Sequence, residues 1–170
     1  MDRYLICVCG PNGAGKSTFA RAVLSTLNLP IVDPDLYSSQ GISEIAAGKI
    51  ASRLIKDYLA RGVSFIKEST LTSNFDGRII RRARELGYAV ILIYIALNSA
   101  EESILRVERR AMAGGHSIPQ AIIKRRFDKS RRNLKLIRDD IDYLYLIDGS
   151  RPYPFDRDPD WAEKFWKAIQ

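Results

Sequence analysis

Tyr4-Leu5-Ile6-Cys7-Val8-Cys9-Gly10-Pro11-Asn12-Gly13-Ala14-Gly15-Lys16-Ser17-Thr18 is the stretch that decides the fold. Its first six residues are continuously apolar, as in a parallel strand buried on both faces. Gly10 to Ser17 then satisfies G-x-x-x-x-G-K-[ST] in full, and Thr18 to Leu24 has helical spacing. Strand, glycine loop and helix together form a phosphate cradle. The glycines let backbone N–H groups approach an anion, and the helix start adds unpaired N–H groups and a positive dipole end. Gly10, Pro11, Asn12, Gly13, Ala14, Gly15, Lys16, Ser17 and Thr18 are thus the expected nucleotide-binding residues. Lys16 would reach the β- and γ-phosphates, and the Ser17 hydroxyl would bind Mg²⁺.

Working outward, Pro30-Ile31-Val32 reads as a second strand running into Asp33-Pro34-Asp35. An amphipathic helix follows from Ser43, closed by Gly62. Val63 to Ile66 is the expected third strand, delivering Lys67-Glu68-Ser69-Thr70. Phe75 to Leu86 reads as a helix and Tyr88 to Leu97 as the central strand. Ser99 then caps a helix to Ala113. Gly114-Gly115-His116-Ser117-Ile118-Pro119 separates that helix from a basic one reaching about Asp139. Asp142 to Asp148 is the last strand. A short C-terminal helix carries Trp161, Phe165, Trp166 and Ile169 on one side. The alternation predicts an α/β fold of P-loop NTPase or kinase type, a five-stranded parallel sheet with helices on both faces. The 170 residues suit a single domain, with a lid over about residues 106–127.

Composition narrows the class. No apolar run reaches membrane-spanning length and no secretory signal opens the chain. Cys7 and Cys9 sit two apart on one strand face, too far for a relaxed disulfide, so both are expected as core thiols in the cytoplasm. The formal charge of +7 suits acidic partners.

In doubly wound sheets ligands sit at the carboxyl ends of the strands, so polar residues there are the candidates. Asp35 follows strand two, where it could orient an acceptor hydroxyl and take its proton. Asp33 could hold metal-bound water, although Asp-Pro-Asp is also a common turn composition. Glu68 and Thr70 could share a face toward substrate or Mg²⁺. No Asp ends the run Ile91–Ile95, which leaves Glu68 and Asp33, with Ser17, as candidates for the metal site. His116 could contact phosphate or acceptor from the lid. Arg106, Arg109, Arg110, Arg125 and Arg126 flank that lid and could neutralise charge at the γ-phosphate.

With Gly10–Ser17, Asp33-Pro34-Asp35, Glu68-Ser69-Thr70, Gly114–Pro119 and Arg125-Arg126-Phe127 in order, the chain resembles the zeta-toxin-like P-loop kinases from about Tyr4 to Ser150. Its length matches their compact, stand-alone branch. The resemblance implies ATP with Mg²⁺, Asp35 as catalytic base, and Glu68 and Thr70 beside the substrate. It also implies Arg110 and Arg126 on the ATP phosphates, or Arg109 and Arg125 one place away. Better-known members are toxins that phosphorylate the 3′-hydroxyl of a UDP-amino sugar such as UDP-N-acetylglucosamine and are restrained by an antitoxin protein.

The expected activity is therefore transfer of phosphate from ATP to a hydroxyl of a small molecule. Two other readings need the same loop. One is a nucleoside or polynucleotide 5′-hydroxyl kinase, which the basic run Lys124-Arg125-Arg126 would suit, although nucleic acid is not the favoured partner. The other is a nucleotide-hydrolysing ATPase module, weakened by the absence of Asn-Lys-x-Asp and Leu-Ser-Gly-Gly.

Overall fold

The computed structural model describes residues 3–38, 40–115, 117–151 and 159–169. Five strands form one sheet in the order β2-β3-β1-β4-β5, with every pair parallel. They are β1 (Arg3–Cys9), β2 (Ile31–Val32), β3 (Phe65–Ser69), β4 (Tyr88–Ala96) and β5 (Tyr143–Asp148). The expected α/β architecture is the one observed.

Alternation along β1 divides the core between the two faces of the sheet. Leu5, Cys7 and Cys9 pack with Ile55, Leu59, Ile79, Ile80 and Leu134. Ile6 and Val8 pack with Phe19, Leu24 and Phe127. The first group is supplied by α3 (Glu44–Arg61), α4 (Asn74–Glu85) and α6 (Gln120–Leu136). Phe19 belongs to α1 (Lys16–Phe19), which runs on as a π-helical turn over Ala20–Leu24 and a 3₁₀ turn over Ser25–Leu27. Asn28, at φ 50°, ends it.

Cap chemistry sets several boundaries. The Ser43 hydroxyl accepts from Ala46 N, and Gly62 closes α3 at φ 69°. The Ser99 side chain accepts from Glu102 N at the start of α5 (Ala100–Met112). In α7 (Pro159–Ile169), Phe165 is buried 5.8 Å from the Tyr94 ring, and Trp166 and Ile169 pack on the same core. The Trp161 side chain lies outside the described residues.

Two boundaries differ from the sequence reading. The third strand is Phe65–Ser69, so Lys67 and Glu68 lie inside it rather than after it. Pairing with β1 carries through Ser69 because the polar side chains all find partners: Lys67 and Ser69 at Asp76, Glu68 at Ser17. Asp33-Pro34-Asp35 is not a simple turn. It opens the short helix α2 (Pro34–Ser38), with proline at the first helical position and the Asp33 carboxylate accepting from Asp35 N at 3.0 Å.

Leu134 is fully buried and fastens α6 to the sheet, whereas Leu136 is 70 % exposed. Leu134→Ala should cost about 3 kcal/mol, within the range for buried leucine truncations. Leu136→Ala should be near neutral; urea unfolding of the two variants checks the contrast.

Candidate active site

A cleft of about 310 Å³ opens at the carboxyl ends of β1, β2 and β3. The P-loop forms one wall, where Gly10 has φ 146° and any Cβ there would lie 2.2 Å from the Ile95 carbonyl oxygen. Gly13, at φ 76°, faces α5, and a Cβ added there would lie 2.9 Å from Arg106 Cβ. Both positions therefore demand glycine. Lys16 Nζ donates to the Pro11 carbonyl at 3.0 Å. Arg106, held by Glu102 at 2.9 Å, donates to the Gly13 carbonyl at 3.4 Å and so anchors α5 to the loop. Asn12 is buried; its carbonyl accepts from the Ser103 hydroxyl, while its Oδ1 has no hydrogen-bond partner.

The register between β1 and β3 sorts the polar residues. Glu68 pairs with Val8, and its carboxylate accepts from the Ser17 hydroxyl at 2.9 Å. Lys67 and Ser69, paired with Cys7 and Cys9, meet Asp76 near the start of α4. The Asp76 carboxylate also accepts from Ser73 N and the Ser73 hydroxyl. Lys67 and Asp76 are both buried, and the ion pair between them forms one wall of the cleft.

The electrostatics follow from this arrangement. Burial pushes the Lys16 ammonium below its ordinary value, opposed by the carboxylates of Glu68, Asp35 and Asp33. Burial also raises the Glu68 carboxyl, and the neighbouring Asp33 carboxylate adds to the rise. Asp33 is raised as well, again first by burial. For Asp76, burial alone would raise the carboxyl, but the Lys67 ammonium and the hydrogen bonds from Lys67, Ser69 and Ser73 outweigh it, and the pKa is lowered. Burial raises Cys7 to about 12 and Cys9 well above its usual value, so both thiols are inert packing groups.

Of the residues expected at a magnesium site, Glu68 lines the cleft and bonds Ser17, and the Asp33 carboxylate is near enough to Glu68 to raise its pKa. They offer hard oxygen donors beside the P-loop, and Mg²⁺ is held by one or two carboxylates together with phosphate oxygens and water. Among the described residues no group of three or more His, Cys, Asp or Glu side chains is placed to hold a metal. The remaining ligands of such an ion would come from a nucleotide and from water.

Asp35, Glu68 and Thr70 all line the cleft, with the Thr70 hydroxyl 2.9 Å from that of Thr72. Arg126 lines it from α6. Arg110 is exposed near the end of α5 and is not part of the lining; Arg109 and Arg125 are exposed too. Thr18 is exposed on α1. His116 lies outside the described residues. The Lys67–Asp76 pair, with Ser69 and Ser73, escaped the sequence reading. Its signals were Ser73-x-x-Asp76 ahead of an apolar helical face, and a lysine directly after Phe65-Ile66.

The parallel sheet order and the P-loop at the end of β1 define a P-loop protein of kinase fold. The zeta toxin family profile matches residues 3–160, and the chain belongs to that family. An uncharacterized protein of Haemophilus influenzae is 32% identical over 133 residues, covering 75% of this chain and 94% of its own length. A shikimate kinase of Rhodococcus jostii is 30% identical over 115 residues, covering 62% of this chain and 68% of its own. Among solved structures, the AvrRxo1-ORF1:-ORF2 complex with ATP superposes with a TM-score of 0.70 at 18% identity, covering 97% of this chain and 64% of that one. Among the described residues no helix is long and apolar enough to cross a membrane.

The opposite pKa directions of Asp76 and Glu68 give opposite pH dependences. Asp76, lowered in the folded protein, contributes stability above its unfolded pKa and loses it as pH falls through the folded value. Asp76→Ala leaves Lys67 buried without its partner and should cost about 3 kcal/mol at neutral pH. Glu68, raised, disfavours the folded state once ionised. Glu68→Gln should therefore raise Tm at pH 7 without nucleotide or metal. That gain should shrink as pH falls through the raised Glu68 pKa. Thermal unfolding from about pH 8 down to about pH 2 checks both signs, the Asp76 loss appearing below about pH 4 and the Glu68 effect above it.

Proposed function

We propose that the chain is an ATP-dependent kinase that transfers the γ-phosphoryl group to a hydroxyl of a small molecule bound in the cleft. The observation that carries this reading is the meeting of P-loop, acceptor room and a candidate base in one cleft: Lys16, Asp35 and Glu68 all line it. In this reading the P-loop N–H groups and Lys16 hold the β- and γ-phosphates. Ser17 and Glu68, with Asp33 behind them, would hold Mg²⁺, which when bound offsets phosphate charge. Asp35 orients the acceptor hydroxyl and takes its proton. The acceptor oxygen bonds to the γ-phosphorus while the β,γ-bridging P–O bond breaks, and ADP leaves with the bonding pair.

Arg126 reaches the transferring phosphoryl from α6 and Arg110 completes the pair when the segment 106–127 closes as a lid over the domain. Thr70 contacts the acceptor. The family resemblance nominates a UDP-amino sugar as one acceptor and an antitoxin-like protein as one partner, in the cytoplasm.

A transfer assay with γ-labelled ATP and Mg²⁺ tests the reading, offering UDP-N-acetylglucosamine, nucleosides, a 5′-hydroxyl oligonucleotide and a polyol mixture in parallel. Asp35→Asn should lower transfer by about 100-fold or more, the scale of a lost general base, while ATP affinity stays within about twofold. Lys16→Ala should lose ATP binding itself. Transfer by Asp35→Asn at the wild-type rate would remove Asp35 from the role of base.

A further inference from the structure

α3 and α4 pack on the same face of the sheet yet hardly touch one another. Between them runs a groove of about 560 Å³, a larger space than the cleft. Phe75, Arg78, Ile79, Arg82 and Leu86 line it from the α4 side, and Lys56, Leu59 and Ala60 from α3. Both sets recur at helical spacing, so each helix turns one seam toward the gap. Phe75 to Leu86 spans roughly 16 Å at 1.5 Å per residue, about three helical turns.

The two seams share a pattern, apolar at the base and cationic at the rim. Leu59 and Ile79 are buried at the base, with Phe75 and Leu86 half-buried beside them. Lys56, Arg78 and Arg82 are exposed along the rims, and Arg3 is exposed as well. No Asp or Glu lines the groove among the described residues. Of the acids on these two helices, Asp57 pairs with Arg61, Asp76 with Lys67 and Glu85 with Arg82. Arg3, Lys56 and Arg78 have no carboxylate partner among the described residues. Such a surface complements a ligand that is apolar on one face and acidic on its flanks.

Placement separates this groove from the cleft. Arg3 opens β1, its guanidinium 5.6 Å from the centroid of the Tyr88 ring. The groove therefore reaches the amino end of the sheet, away from the P-loop, and Phe75 is the one described side chain it shares with the cleft. Shape then selects among acidic ligands. A phosphate ion would engage one stretch of rim and leave the apolar base bare. A membrane is flat, whereas the base lies recessed between two helices. An amphipathic helix laid lengthwise meets base and rims together, the helix-in-groove mode of recognition.

We propose that the groove between α3 and α4 docks an acidic amphipathic helix of a partner protein. Its apolar side chains lie against Leu59, Phe75, Ile79 and Leu86, and its carboxylates face Arg3, Lys56 and Arg78. This site is independent of the kinase reading.

The probe is a synthetic helix-forming peptide of about three turns, with leucine at i, i+3, i+4 and i+7 and glutamates on both flanks. Fluorescence anisotropy follows its titration with the full chain at about 0.1 M salt. A saturable Kd on the order of 10–100 μM is expected, and no saturation up to about 1 mM overturns the site. Lys56→Glu with Arg78→Glu should weaken binding at least about tenfold, the ratio that a difference of 1.4 kcal/mol produces. Lys129→Glu with Arg132→Glu, on α6, makes the same change in net charge and should leave Kd within about twofold. All four positions are exposed, so Tm should hold in both variants. Equal loss in the two variants would reduce the binding to attraction by the basic chain as a whole and overturn the groove. A peptide with serine in place of each leucine should also bind at least about tenfold more weakly. Equal binding of that peptide would remove the apolar base from the site. Binding of phosphatidylglycerol vesicles but not of the peptide, lost with Lys56→Glu and Arg78→Glu, would assign the groove to a membrane surface instead.

Discussion

The parallel register of β1 against β3 is the constraint on which the cleft depends. Because successive side chains on a strand point to opposite faces, fixing Val8 opposite Glu68 fixes every polar neighbour as well. Glu68 is sent to the P-loop helix, where Ser17 meets it. Lys67 and Ser69 are sent to α4, where Asp76 meets them. A slip of one residue would exchange these assignments, leaving a lysine at the P-loop and a carboxylate buried against another carboxylate. The contact of Glu68 with the P-loop helix and the buried Lys67–Asp76 pair thus share one short strand, separated by its two faces.

This division explains why the sequence was readable in one part and opaque in another. The P-loop could be read because strand, glycines and helix are contiguous, and each glycine answers to a local demand such as the Ile95 carbonyl pressed against Gly10. The alternation of apolar runs with amphipathic helices likewise announced the sheet. The Lys67–Asp76 pair was hidden because its partners lie nine positions apart on different elements. Neither residue by itself looks unlike a surface charge. The end of β3 was misplaced for the same reason. Ending a strand where polarity begins assumes that polar residues leave the core, and here they stay by bonding one another.

The arginines show the limit of motif distance. Arg106, Arg109 and Arg110 are nearly interchangeable in sequence, but α5 puts Arg109 on a different side and carries Arg110 one turn beyond Arg106 along the same face. Arg106 comes to rest on the Gly13 carbonyl, Arg110 lies one turn on and exposed, and from the later helix only Arg126 of its pair lines the cleft. Position on the helix, which requires knowing where α5 meets the P-loop, separates them; residue type does not.

Stability and chemistry pull against each other inside the same few ångströms. Asp76 is an ion satisfied by its surroundings: Lys67, Ser69 and Ser73 hold it ionised, and the fold gains from its charge. Glu68 and Asp33 are the reverse, carboxylates whose charge burial disfavours, set close enough to repel. A fold selected for stability alone would give each a cationic partner, as Lys67 partners Asp76. In the kinase reading proposed above, a divalent cation beside the P-loop would relieve that crowding and the buried Lys16 would meet phosphate oxygens. The cleft of a chain carrying a formal charge of +7 is consequently its place of crowded carboxylates, and the charge of the whole molecule is a poor guide to what enters it.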